Sequence, residues 1–152
     1  MGTYDYTGDG NGTIKADFYR KSVLLKRVMK VADIIASDTT LTANAKITAA
    51  DVIQMIDVPA KFVLTNFFVV TVTPEGAGLT ADFGIAGSTE LASNFDINQS
   101  AGTITLLAVG ASWGADTVMG YAFAAADTID MTFDADTDAG EWDVYIAGWF
   151  LD

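Results

Sequence analysis

Much of the chain alternates apolar and polar residues with a period of two. Residues 79–85 run Leu-Thr-Ala-Asp-Phe-Gly-Ile, and residues 128–133 run Thr-Ile-Asp-Met-Thr-Phe. Successive side chains of a β-strand point to opposite faces of the sheet, so this pattern predicts strands with one buried face and one wet face. Weaker patterns at residues 52–58, 103–111 and 118–123 predict three further strands.

Two longer stretches, residues 62–73 and 142–151, carry apolar residues on both faces. Unbroken alternation gives each a strongly apolar first face: Phe62, Leu64, Phe68, Val70 and Val72 in the first stretch, and Trp142, Val144, Ile146 and Phe150 in the second. The second faces are mixed, and their large apolar members include Phe67, Val69, Tyr145 and Trp149. Monomers rarely expose large apolar patches, so we expect these four side chains to be buried in subunit contacts.

Turn signals separate the predicted strands. Pro74-Glu75-Gly76 has the residues of a tight turn, and the polar residues 134–140 separate the last two strands. Residues 22–35 fit either a helix, by the spacing of their apolar positions, or a strand, by their β-branched residues. Counted as a strand, this segment completes a set of eight. The pattern therefore predicts an all-β fold, an eight-stranded, jelly-roll-like β-sandwich.

The sandwich domain is expected to occupy residues 22–152. Residues 1–21 are predicted to form a flexible N-terminal arm, because residues 1–14 contain four glycines and few apolar side chains. Residues 36–50 are rich in serine, threonine, aspartate and asparagine and predict a loop, with a helical turn at Ala49-Ala50. A chain of 152 residues is long enough for one such domain.

Composition excludes more classes of function than any motif does. Half of the chain, 51%, is hydrophobic and 18% is charged, and it contains no cysteine and no histidine. Their absence removes the thiolate nucleophile, the usual general base and the usual zinc ligands. The sequence also lacks a phosphate-binding loop and the elbow motif of serine hydrolases. We therefore expect no enzyme activity and no cofactor.

Charge is distributed unevenly along the chain. The formal net charge is −12, which repels nucleic acid and anionic membranes, so we expect neither as a partner. The first 61 residues carry eight basic and seven acidic side chains, whereas the other 91 carry thirteen acidic and no basic ones. Six basic residues are concentrated near the start: Lys15, Arg20, Lys21, Lys26, Arg27 and Lys30.

This basic segment has two interpretations. Its lysines fit a solvated edge strand, where they prevent unwanted pairing with other chains. They also fit a docking segment that binds an acidic surface. We favour the docking interpretation. Residues 1–14 beside the basic segment span at most ~45–50 Å when extended, which is enough to reach an adjacent subunit.

Two acidic loops have part of the pattern of a calcium site. Residues 5–11 begin like an EF-hand loop, but Ala16 stands where the bidentate glutamate belongs. Asp134, Asp136 and Asp138 alternate along a second loop, but Ala139 occupies the place of the turn-forming glycine. Neither loop completes a ligand set, so we predict no metal site.

Several stretches resemble small structural proteins of tailed bacteriophages. They are Ala50-Asp51-Val52-Ile53-Gln54-Met55-Ile56-Asp57-Val58-Pro59-Ala60, Thr73-Pro74-Glu75-Gly76, Thr80-Ala81-Asp82-Phe83-Gly84, and Ala125-Ala126-Asp127-Thr128-Ile129-Asp130-Met131-Thr132-Phe133, followed by the closing apolar strand. Over about residues 22–152 the chain resembles capsid decoration, or cement, proteins with a jelly-roll core. The resemblance implies a structural virion protein that binds the major capsid protein as a homotrimer on the outer surface of an icosahedral head. It carries over no catalytic residue.

Three other functions remain compatible with the sequence. The chain is alternatively a tail or head-fibre component, or a carbohydrate-binding β-sandwich that uses its aromatic rings. These rings are concentrated near the C-terminal end, at Trp142, Tyr145, Trp149 and Phe150. Core packing and subunit contacts are the commoner use of such residues. A glycosidase is the least favoured function, because it requires two carboxylates at a defined separation.

We expect the stability of the protein to be insensitive to metal chelators. Neither acidic loop has the full set of oxygen ligands that holds calcium in a protein. Thermal unfolding measured with excess chelator and with excess calcium should therefore give the same Tm. A Tm that falls by many degrees on chelation would show that one of the two acidic loops binds a metal ion.

Overall fold

A computed structural model describes residues 3–5, 23–49, 51–76, 78–85, 91–107 and 121–151, the first three by their backbone alone. These residues form ten strands and two short helices. In chain order they are β1 (Thr3–Asp5), β2 (Val23–Lys30), α1 (Val31–Ser37), α2 (Thr39–Asn44), β3 (Val52–Val58), β4 (Phe62–Thr73), β5 (Thr80–Ile85), β6 (Ala92–Asp96), β7 (Ile104–Leu107), β8 (Tyr121–Ala122), β9 (Asp127–Phe133) and β10 (Glu141–Phe150).

The strands form two sheets. One has the order β1-β3-β9-β5-β6, and the other has the order β2-β10-β4-β7, with β8 also paired to β4. The antiparallel pairs are nested, since β2 pairs with β10, β3 with β9, β4 with β7 and β5 with β6. Rolling one long hairpin into two sheets produces this order, so the architecture is jelly-roll-like. The prediction of an all-β sandwich is confirmed.

Residues 22–35 combine both of the structures that their pattern allowed. The strand β2 runs to Lys30, and the chain then enters α1, which buries Val31 and Ile34 one turn apart on the same side. The strand gives way to the helix at the point where the spacing of the buried residues changes. Alternate positions are buried up to Met29, and positions three apart are buried after it.

The predicted loop over residues 36–50 is partly wrong, because it contains α2. The Asp38 side chain accepts hydrogen bonds from the backbone N–H groups of Thr40 at 2.7 Å and Leu41 at 3.1 Å. These bonds satisfy amides that have no partner within the first helical turn. Leu41 then anchors the short helix in the core. Of the predicted turn, Ala49 lies in a turn and Ala50 lies outside the described residues.

Aromatic contacts join the two sheets through the core. Phe67 of β4 meets Phe83 of β5 edge to face, with ring centroids 5.0 Å apart. The ring centroids of Trp142 in β10 and Phe133 in β9 are 6.1 Å apart. The indole N–H of Trp142, which is fully buried, donates to the carbonyl oxygen of Ile97 at 3.1 Å. The buried indole N–H therefore has a hydrogen-bond partner, as buried polar groups generally do.

A bulge in β4 overturns the predicted faces of that strand. Ala147 of β10 pairs with Asn66, but the next residue, Gly148, pairs with Leu64, so Thr65 is an extra residue in β4. One extra residue reverses the alternation that follows it. Phe67 and Val69 therefore point into the core, where they are 0% and 1% exposed. The prediction that these two side chains face a neighbouring subunit is wrong.

The partner strand β10 alternates without interruption. Trp142, Val144 and Ile146 are fully buried, as their positions predict. Tyr145 and Trp149 face outward, again as predicted, and Trp149 is 44% exposed. Of the four side chains predicted to face outward, only the two in β4, Phe67 and Val69, therefore face the core instead.

Gly148 permits the close approach of β4 at the bulge. A Cβ atom at this position would lie 2.0 Å from the carbonyl oxygen of Val63 and 2.6 Å from the ring of Phe62. The first of these neighbours is backbone, so it cannot move aside without shifting the strand. At the same place the Thr65 hydroxyl donates to the Ala147 carbonyl at 3.1 Å.

We expect Gly148→Ala to lower the free energy of unfolding by about 3 kcal/mol, because the added methyl group must displace the backbone of β4. Gly102→Ala is the control. It adds the same methyl group into open space and costs about 1 kcal/mol through its left-handed backbone alone. Urea unfolding of the two variants measures the difference. Equal losses would contradict a close contact between the strands at Gly148.

Candidate functional site

The outward side of the β2-β10-β4-β7 sheet carries most of the exposed large hydrophobic side chains. In the described parts of the chain there are seven such residues, and all but Leu151 belong to these four strands. The six are Leu24, Val28, Val72, Ile104, Leu106 and Trp149. We call the outward side chains of the four strands the apolar face. Leu106, Ile104 and Leu24 are the most open, at 71%, 69% and 63% exposed.

The centre of the apolar face is a row of directly paired residues. Tyr145 of β10 pairs with Lys26 of β2 on one side and with Phe68 of β4 on the other, and Phe68 pairs with Leu106 of β7. The rings of Phe68 and Tyr145 stack with centroids 4.6 Å apart and planes 7° from parallel. Cross-strand pairs of this kind hold a sheet face in one shape.

Lys26 and Asp143 neutralise each other on the face. The Lys26 ammonium lies 2.7 Å from an Asp143 carboxylate oxygen and 5.8 Å from the centre of the Tyr145 ring. The hydrogen bond to Asp143 raises the pKa of Lys26 above its ordinary value of 10.5, so Lys26 stays charged at neutral pH. The half-buried Tyr145 ring also favours the charged form of Lys26, because the face of an aromatic ring attracts a cation.

The opposite sheet presents a different surface. Outward positions on β5, β6 and β9 hold Thr80, Asp82, Asp96, Thr128 and Thr132, all of them partly or fully exposed. Water therefore solvates one side of the sandwich well and the other side poorly. This asymmetry identifies the apolar face as the candidate functional site.

The structure divides the predicted basic docking segment. Lys15, Arg20 and Lys21 lie outside the described residues. Lys26 belongs to the apolar face. The Lys30 ammonium lies 3.7 Å from a carboxylate oxygen of Asp33, three residues further along the chain.

Arg27 is only 2% exposed, because the alternation of β2 turns it inward between Lys26 and Val28. The prediction of a docking role is therefore wrong for Arg27. The two described lysines of the basic segment, Lys26 and Lys30, are paired with carboxylates of the chain, so the sequence pattern overstated how much free positive charge this strand offers.

The second acidic loop has partners of its own. The Thr80 hydroxyl donates to Asp134, and the Lys46 ammonium donates to Asp136 at 2.5 Å. The backbone N–H of Ala49 donates to the other Asp136 oxygen at 2.9 Å. Within the described ranges no group of three or more acidic side chains is placed to hold a metal ion. The other predicted loop, residues 5–11, is described only at the backbone of Asp5.

The predicted aromatic cluster is split between the core and the apolar face. Trp142 and Phe150 pack inward, whereas Tyr145 and Trp149 face outward. No helix in the described ranges is both long enough and apolar enough to cross a membrane.

A chain in the capsid of Ralstonia phage GP4 has the same fold. It superposes with a TM-score of 0.63 at 15% sequence identity, covering 99% of this chain and 98% of that one. This is a fold found in phage capsids. A chain in the capsid asymmetric unit of cyanophage Pam1 matches with a TM-score of 0.52 and 14% identity over 96% of this chain and 99% of that one.

A third match comes from the acidic-stable capsid structure of Helicobacter pylori bacteriophage KHP30. Its TM-score is 0.51 and its identity 12%, covering 86% of this chain and 87% of that one. No protein-family model matches the chain, and no curated protein matches it. At these identities the likeness establishes the shared fold.

We expect Asp136→Asn to destabilise the protein at neutral pH and much less in acid. The hydrogen bonds from Lys46 and from the Ala49 amide lower the pKa of Asp136 below its ordinary value of 3.8. A lowered folded-state pKa stabilises the fold above pH 3.8, and this contribution disappears as the pH falls through the lower, folded-state pKa.

Asp138→Asn is the matched control, because it removes the same charge from the same loop and leaves both Asp136 contacts in place. Urea unfolding of parent and variants at neutral pH and well below pH 3.8 measures the effect. A loss for Asp136→Asn that is independent of pH, or no larger than that of Asp138→Asn, would count against this role of the Asp136 carboxylate.

Proposed function

We propose that this chain is a decoration, or cement, protein of a bacteriophage head. In this role it binds the major capsid protein on the outer surface of an icosahedral shell, as a homotrimer, and stabilises the shell. The observation that carries the proposal is the match to phage capsid chains over nearly the whole length of both partners. The likeness extends over nearly all of both compared chains, whereas a small shared module would cover only a fraction of one of them.

The chemistry of the chain supports a structural role without catalysis. It lacks histidine and cysteine, which supply most general bases and covalent nucleophiles in enzymes. Two carboxylates of the second acidic loop are engaged within the chain: Asp134 with Thr80, and Asp136 with Lys46 and a backbone amide. A rigid sandwich with one unusually apolar side suits a protein whose work is to hold contacts.

The N-terminal arm is the proposed element that attaches the body to the shell. Its first described residues form β1, which adds in parallel to the edge of β3 through the pairs Thr3–Val52, Tyr4–Ile53 and Asp5–Gln54. This pairing lies within the chain, so it fixes the start of the arm to the sandwich, and attachment is assigned to the basic residues that follow. Lys15, Arg20 and Lys21 follow β1 and supply positive charge for an acidic surface on the shell or on a neighbouring copy.

We expect removal of residues 1–20 to leave the sandwich folded and to weaken binding to phage heads. The triple change Lys15→Glu, Arg20→Glu and Lys21→Glu should have the same effect, more strongly at low salt, because salt screens charge interactions. Co-sedimentation with heads prepared from a mutant phage that lacks this chain measures the binding.

Lys61→Glu is the control for the charge reversal, since Lys61 is exposed in the turn between β3 and β4. If the deletion and the triple variant bind heads as the parent does, the arm is not the attachment element. Cryo-electron microscopy of the particles separates the alternatives. Density on tails or fibres, with none on the head surface, would overturn the decoration role.

A further inference from the structure

We propose that the apolar face is the surface through which copies of this chain contact each other. The inference deepens the proposed function, since it assigns the subunit contact of the trimer to one face of one sheet. Attachment to the shell is assigned to the arm, and the contact between copies is assigned here to a different surface. Leu24, Ile104 and Leu106 are 63–71% exposed, so the described part of the chain leaves these side chains open.

The face is large enough to be an interaction site. Four strands at ~4.8 Å spacing and about six residues at ~3.3 Å per residue give roughly 20 Å by 20 Å, or ~400 Å². A patch of this size lies in the range of the largest apolar patches on monomeric proteins, and such patches commonly mark interaction sites. The side chains are also preorganised, because each outward residue at the centre is fixed by a cross-strand partner.

The charges of the face favour a second copy as its occupant. Copies that meet through the same face bring identical sets of charges together, so a face with an excess of one sign would repel itself. Four charged side chains lie at outward positions of the face, and their signs balance: Lys26 and Lys30 are basic, and Glu141 and Asp143 are acidic. The face is thus neutral in a chain of net charge −12.

The other side of the sandwich is unsuited to self-contact. Asp57, Asp82 and Asp96 all face outward from the β1-β3-β9-β5-β6 sheet. Two copies that met through this sheet would bring carboxylates together, and like charges in close contact cost several kcal/mol. Long-range repulsion between copies is therefore least when their apolar faces approach each other.

The area also sets the strength of the contact. Each partner in a stable complex of standard size contributes ~800 Å², about twice the estimated area of the face. We therefore expect weak association in solution, at micromolar to millimolar concentrations. On a shell, copies held side by side have a high effective concentration, so the same weak contact becomes occupied.

Leu106→Glu tests the proposal. Leu106 lies on the edge strand β7 and is 71% exposed, so a glutamate there should leave the fold intact. It places an unpaired carboxylate in the proposed contact, and we expect association to weaken by about tenfold or more. Ser93→Glu is the control, because it adds the same charge to the exposed edge strand β6 of the opposite sheet.

Sedimentation equilibrium from micromolar to millimolar concentration supplies the measurement. The average mass of the parent and of Ser93→Glu should rise with concentration, while Leu106→Glu should stay near the monomer mass. A parent that remains monomeric throughout this range would overturn the proposal. So would a Leu106→Glu variant, folded by circular dichroism, that associates as strongly as the parent.

A single introduced thiol locates the contact, because the chain has no cysteine of its own. A short bismaleimide should link two copies of Ile104→Cys and should link Ser93→Cys far less, and equal yields would contradict the assignment. Head binding is measured separately. Copies that associate without binding heads would leave this contact standing and overturn the decoration role, whereas monomers that bind heads would do the reverse.

Discussion

One of two extra residues in β4 determines which side chains build the core and which remain outside. Thr65 is that residue, and Gly148 lies opposite it on β10 with no side chain to obstruct the Val63 carbonyl. Beyond the bulge, Phe67 points inward and meets Phe83 of the other sheet. Phe68 points outward instead and stacks on Tyr145. The core contact between the sheets and the centre of the apolar face therefore depend on the same local irregularity.

Sequence periodicity predicted the strands well where pairing is regular. The uninterrupted alternation of β10 correctly separated the buried Trp142, Val144 and Ile146 from the outward Tyr145 and Trp149. It failed in β4, because nothing in the composition around Thr65 distinguishes a bulge from a regular strand. A bulge is fixed by the partner strand, here by the missing side chain at Gly148, and the partner is unknown until the topology is known. The nested pairing is a tertiary property for the same reason.

The basic segment illustrates a second limit. Counting charges identified a concentration of lysine and arginine, but counting does not show where each charge points. Arg27 lies inward because β2 alternates, and Lys26 is neutralised by Asp143, a residue more than a hundred positions away in the chain. Asp38, in contrast, carried a local signal for α2, since aspartate is a favoured residue at a helix N-cap. The sequence therefore carried the local signal for α2, but it did not show that a distant carboxylate neutralises Lys26.

The two sides of the sandwich divide the physical requirements of a surface protein. An acidic, threonine-rich sheet remains solvated and repels other copies at long range. A neutral, apolar sheet loses little by desolvation and gains from any apolar partner that covers it. Under the proposed function, neither the apolar contact nor the arm needs to be strong alone. Linked through one chain, two weak contacts bind as a unit, because the first to form raises the effective concentration for the second. Weak self-contact also protects assembly, since copies that associate only when held close do not polymerise before they reach a shell.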